Sequence, residues 1–228
     1  MNPGNPHAVE LPGGDQDVIA CLTPELKARL KDASRVVLVA NNPAIRAIDL
    51  AALNLGSRDV VISFNTCIKA DLLSPQCTHV LVHGFNGTDR FFFGLPLAPR
   101  LLERYQTAPS RFFTVLVGCV GPMSPVPGVS LFRERIPLPP LWDYPVDRPG
   151  GKRYVGPSTG FNALVLFDAL RAQPHYRYSM ITVGFSNEAG KLWGGHAWDY
   201  ERAWLLAADI LRVQLPSPRR WWQWWKPR

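Results

Sequence analysis

Val36-Val37-Leu38-Val39-Ala40-Asn41-Asn42-Pro43 opens with five apolar residues and closes on a polar turn. An apolar run this short, β-branched and without alternation, reads as a strand buried on both faces, the kind found in parallel sheets. Val60-Val61-Ile62-Ser63-Phe64 repeats the pattern, and further runs lie at Thr78–His83, Phe112–Val117 and Ser179–Gly184. Helix-like segments fall between them near 97–106, 159–172 and 197–213. Upstream, Thr23-Pro24-Glu25 reads as a helix start, with Thr23 as cap, Pro24 in the first turn and Leu26 and Leu30 apolar. Strands alternating with helices predict one α/β domain: a Rossmann-like, mostly parallel sheet flanked by helices.

The chain has 228 residues, a length that one large domain accommodates. Residues 1–22 are rich in Pro, Gly and polar groups and are expected to lie loosely, leaving a domain over 23–215. Between Gly118 and Pro157 stand nine prolines with little periodicity. A connection of that length is a binding loop or a solvated excursion. Its Arg133, Arg135 and Arg153 suit an anionic ligand. Four cysteines without CxxC or zinc-ligand spacing suit reduced thiols in a cytoplasm. No apolar run approaches the roughly 20 residues that span a bilayer. Net charge is +7, and Arg219, Arg220, Lys226 and Arg228 carry four of those charges in an acid-free tail. The excess is local, which argues against a nucleic-acid partner for the domain.

Four constellations carry candidate chemistry. Asn41 and Asn42 end the first strand, and Asn65 ends the next; ligands of parallel sheets bind beyond such carboxyl ends. The same residues are also ordinary turn formers. Gly156-Pro157-Ser158-Thr159-Gly160 precedes an apolar helix and offers N–H groups, hydroxyls and a positive dipole end to phosphate or carboxylate. The alternative is a plain N-cap. His196 follows a glycine pair at a helix entrance, where an imidazole can take a proton near neutrality, with Asp199 or Glu201 to orient it. A structural histidine is the other reading. His79 and His83 share a strand face but have no third ligand nearby, so no metal is expected. Asp15-Gln16-Asp17 precedes every strand and reads as surface, and neither a GxSxG nor a Walker loop occurs.

In order and spacing these pieces resemble the animal-type sialyltransferase family. VVLVANNPAIRAIDLAALNLGSRDVVISFN is similar to the large sialylmotif, GPSTGFNALVLFDAL to the small one, VGFSN to the strand end that follows, and HAWDYE to the very small motif. The resemblance spans roughly residues 35–205. It implies a sialyltransferase-like variant of the α/β fold and an inverting, metal-independent glycosyltransferase with no cofactor beyond its CMP-sugar donor. Carried over by position, Asn41, Asn42 and Asn65 would contact the nucleotide. Ser158, Thr159 and Gly160 would take the sugar carboxylate or CMP, and Gly184 would line the nucleotide pocket. His196 would be the base, with Glu201 supporting it. Arg133, Arg135 and Arg153 would face the acceptor.

Three departures stand out. Ala40 replaces the family's Gly before Asn41, and 185–195 lacks the second His that contacts phosphate, leaving Lys191 or Trp193 as substitutes. The chain is also short, with no stem or anchor, as expected of a bacterial cytoplasmic relative. Either sialic acid or Kdo satisfies the implied donor pocket. The tail, with four tryptophans among its cations, is expected to dock residues 219–228 on the anionic inner face of a membrane, where a lipid-linked saccharide or other cell-surface glycan, as in lipopolysaccharide assembly, would be the acceptor. The same fold also admits a CMP-sugar hydrolase or a non-catalytic CMP- or glycan-binding protein.

Overall fold

Seven strands form one sheet in the order β5-β4-β3-β2-β1-β8-β9, with every neighbouring pair parallel. They are β1 (Arg35–Val39), β2 (Asp59–Phe64), β3 (Thr78–Gly84), β4 (Phe112–Val117), β5 (Val129–Phe132), β8 (Ser179–Val183) and β9 (Leu211–Val213). Two further strands, β6 (Asp147–Arg148) and β7 (Lys152–Arg153), make a separate antiparallel hairpin. The helices are α1 (Pro24–Lys31), α2 (Ala47–Ala51), α3 (Thr159–Arg171) and α4 (Trp198–Ala207). This computed structural model describes residues 20–65, 69–84, 103, 107–117, 129–132, 143–185, 192 and 194–215.

The unbroken apolar runs do what their composition requires. Every residue of β2 and β4 is buried, because side chains alternate between two covered faces. On one face Val36, Leu38, Ile62, Val80 and Val115 pack against Leu26 and Leu30 of α1, Phe167 of α3 and Leu205 of α4. On the other, Val37, Val61, Leu81 and Val183 meet Ile45, Leu50, Leu73 and Cys77. Fully burying one such side chain contributes about 1.5–3 kcal/mol, so both covers stabilise the sheet.

Topology then fixes where a ligand can sit. From β1 the chain builds outward through β2, β3, β4 and β5, and later returns to the other side of β1 with β8 and β9. The carboxyl ends of β1 and β8 therefore diverge into opposite connections and leave a crevice between them.

Several expectations need correction. Residues 197–213 are not one helix: α4 stops at Ala207, Ala208 turns extended, and 211–213 pair with β8 as an edge strand. No Gly or Pro marks that stop, and Leu211 continues the helical spacing, so periodicity alone runs through it. The Pro-rich stretch 118–157 is not wholly a loop, since it contributes β5 to the sheet and the β6–β7 hairpin. Leu22, assigned to a loose N-terminal segment, is 1% exposed in the core beside Leu26. The helix expected near 97–106 lies outside the described residues except for Glu103. Arg133, Arg135, Lys191, Trp193, Asp15-Gln16-Asp17 and the tail 216–228 also lie outside them.

Candidate functional site

A cleft of about 500 Å³ opens at the carboxyl ends of β1, β2 and β8. Asn41, Asn42, Asn65, Ser158, Thr159, Gly160, Gly184, His196 and Glu201 all border it. Residues as far apart in sequence as Asn41 and Glu201 thus meet at one sheet edge. Their individual roles differ.

The Asn41 amide donates to the Phe64 carbonyl at 2.8 Å, tying the tip of β1 to that of β2. Asn42 is buried; its amide donates to the Gly184 carbonyl at 2.9 Å, and its oxygen accepts from the Ala44 N–H. Through this Asx turn Asn42 holds β1 to β8 at the border of the cleft. Gly184 sits at φ +78°, and a Cβ there would lie 2.7 Å from Ile45 Cδ1 and 3.0 Å from Asn42 Cβ. Only glycine lets the β1 turn approach so closely. Asn65 adopts φ +49°, and its side-chain oxygen accepts from the Gly84 N–H at 3.2 Å. Its NH₂ has no acceptor among the described residues and borders the cleft.

Ser158 is the N-cap of α3: its Oγ accepts from the Phe161 N–H at 3.0 Å, while the Asn162 N–H bonds the Ser158 carbonyl. The Ser158 hydroxyl proton goes to Glu201 Oε2 at 2.7 Å, and the Ser158 N–H to Glu201 Oε1 at 2.8 Å. Ser158 is therefore occupied, and the groups at the helix mouth without an acceptor among the described residues are the Thr159 and Gly160 N–H groups and the Thr159 hydroxyl.

Glu201 does not orient His196, contrary to expectation. Its carboxylate, 7% exposed, turns to Ser158 and also accepts from the Tyr144 hydroxyl at 2.8 Å. Tyr144 in turn accepts from the Ala197 N–H at 2.7 Å. Burial pushes the Tyr144 phenol well above its ordinary range, opposed by the Ala197 N–H and reinforced by Glu201, so this hydroxyl stays protonated and remains a donor to the carboxylate. Glu201 and Tyr144 are positioning residues that clamp the α3 mouth to the segment bearing His196. Asp199 is exposed and does not meet the imidazole either.

One partner of the imidazole is the Gly156 carbonyl, 2.6 Å from His196 Nδ1. A carbonyl only accepts, so Nδ1 carries a proton, and the tautomer this bond selects has its lone pair on Nε2. The Trp198 ring stands edge-on to the imidazole at 5.2 Å. The same segment is pinned by Val155 N–H to Gly195 O at 2.7 Å and by Arg148 to Gly194 O. Residues 143–156 thus brace the histidine from behind, and among their described members none borders the cleft. Arg153 lies on the exposed hairpin near Asp147, away from the cleft, so the expected acceptor contact is not placed there.

Sequence reading missed Tyr144, hidden in the Pro-rich stretch, and Arg202. The face of α4 carrying Trp198, Glu201, Arg202 and Leu205 follows i, i+3, i+4, i+7 spacing, a signal that was legible once the helix was placed. Among the described residues no group of three metal-ligating side chains comes together, and no helix is long and apolar enough to cross a membrane. No protein-family model, curated protein or solved structure matches the chain.

Proposed function

We propose that this protein is an inverting glycosyltransferase with a Rossmann-like, sialyltransferase-like domain, moving an acidic sugar (sialic acid or Kdo) from CMP to a glycan hydroxyl. The observation that carries the reading is that the α3 mouth and His196, 36 residues apart by number, border one cleft with the tips of β1 and β2. A CMP-sugar bears a single phosphodiester charge, which helix-end N–H groups and a hydroxyl stabilise as CMP departs. His196 Nε2 takes the proton of the acceptor hydroxyl. The acceptor oxygen forms its bond to the anomeric carbon from the face opposite CMP, and the electron pair of the breaking C–O bond passes to the phosphate oxygen. The Gly156 carbonyl holds the tautomer this step needs and stabilises the imidazolium that results.

The test is incubation with CMP-sialic acid and CMP-Kdo, with and without a panel of acceptors, read by mass spectrometry. His196→Ala should retain CMP binding by saturation-transfer NMR and lose transfer by about 10²–10⁴-fold. Wild-type rates in that variant would overturn the assignment; sugar release independent of acceptor would make the protein a hydrolase, and CMP binding without turnover a binding protein. In the same reading the enzyme works on the cytoplasmic face of a membrane, held by residues 219–228 to anionic lipid. The full chain should sediment with anionic liposomes and be released by high salt, whereas a chain ending at Leu215 should stay in solution; equal sedimentation of both would end that part of the proposal.

A further inference from the structure

Arg202 projects from α4 into the cleft wall, four residues after Trp198 and three before Leu205, which also border the cleft. The residue is exposed and makes no hydrogen bond or ion pair among the described residues. By contrast Arg35, Arg46 and Arg171 each pair with a carboxylate. Arg202 is the permanent cation among the described residues that border the cleft.

Its neighbourhood gives that cation a task. Glu201 holds a carboxylate against the Ser158 N–H, one and two residues from the Thr159 and Gly160 amides at the same mouth. An anion arriving at those amides comes close to a buried negative charge, which by itself opposes binding. A guanidinium on the same cleft-lining face of α4 opposes that charge and offers directional donors suited to phosphate or carboxylate oxygens. We propose that Arg202 is the specificity-determining residue of this cleft, recognising an oxyanion of the bound ligand: the phosphodiester or the sugar carboxylate of the donor in the function proposed above, on which this assignment of the ligand rests.

The experiment is calorimetric titration of wild type, Arg202→Gln and Arg202→Lys with cytidine, CMP, inorganic phosphate, and CMP-sialic acid beside its methyl ester. Because Arg202 is exposed, circular dichroism should report an unchanged fold. Arg202→Gln should weaken CMP by about 10- to 100-fold while changing cytidine less than about twofold, with Arg202→Lys in between. If the acid-over-ester preference collapses while the CMP-over-cytidine ratio holds, the carboxylate is the group read, which equally supports the role. Equal weakening of cytidine and CMP, or no weakening of any anion, overturns it, as does failure of the wild type to bind any anion in the panel. Phosphate binding lost in Arg202→Gln, with no CMP or CMP-sugar bound by wild type, would leave Arg202 as the anion reader and remove the glycosyltransferase reading. CMP-dependent transfer unaffected by Arg202→Gln would do the reverse.

Discussion

Removing the Glu201 carboxylate should loosen both rims of the cleft at once. Three donors converge on it: the Ser158 N–H and Tyr144 hydroxyl on Oε1, both at 2.8 Å, and the Ser158 hydroxyl on Oε2 at 2.7 Å. Glu201→Ala leaves all three without their acceptor in a largely buried place. Each orphaned donor costs about 1–3 kcal/mol. Glu201 borders the cleft, so water can enter and the lower end applies, for a total of about 3–4 kcal/mol. In a chain of this size that lowers the melting temperature by about 10 °C. Glu201→Gln keeps one acceptor oxygen but sets an NH₂ against the Ser158 Oγ, which already accepts from the Phe161 N–H; about 1–2 kcal/mol is expected. Urea unfolding followed by circular dichroism measures both variants. An alanine variant within about 0.5 kcal/mol of wild type, the range of an ordinary surface substitution, would refute the clamp.

Two further outcomes follow from the scaffold. Gly184→Ala forces an L side chain into φ +78° and onto Ile45, so a loss of about 2–4 kcal/mol is expected in the same unfolding assay. At the opposite edge of the sheet, burial alone would raise the Asp59 carboxyl, but hydrogen bonds from the Arg35 guanidinium and the Gly56 N–H outweigh it and hold the group below its ordinary value. Its stabilisation is therefore complete above the unfolded carboxylate range, near pH 4, and fades as pH falls through the lowered folded value. Asp59→Asn should cost about 1–3 kcal/mol at pH 7, with the gap to wild type closing as the pH is taken below 4; a gap independent of pH would show that the pair contributes no charge-dependent stability.

Much of this protein was legible in one dimension. Five strands announced themselves because a strand covered on both faces must be apolar throughout, and Val36–Val39 or Phe112–Val117 can satisfy no other environment so economically. Thr23 and Ser158 were readable as helix starts because an N-cap is a local contact, complete within three residues. What failed was whatever depended on a partner distant in sequence. The edge strands at 129–132 and 211–213 have too few residues for a period of their own, and become strands only because β4 and β8 offer them hydrogen bonds.

The same division runs through the cleft. Sequence was enough to bring the strand-end asparagines, the Ser158–Gly160 turn and His196 to it, since residues at the carboxyl ends of parallel strands and at a helix mouth have few other places to go. Arg202 entered and Arg153 stayed out for reasons only the fold supplies. Tertiary structure alone decided what each does there. Asn42 and Ser158 carry the polar groups of ligand-binding residues, yet Gly184 and Glu201, 142 and 43 positions away, take up those groups. Gly156, an unremarked carbonyl, fixes the His196 tautomer in place of the acid five residues on. A buried polar atom bonds whichever partner the fold brings within about 3 Å, and no spacing along the chain encodes that distance.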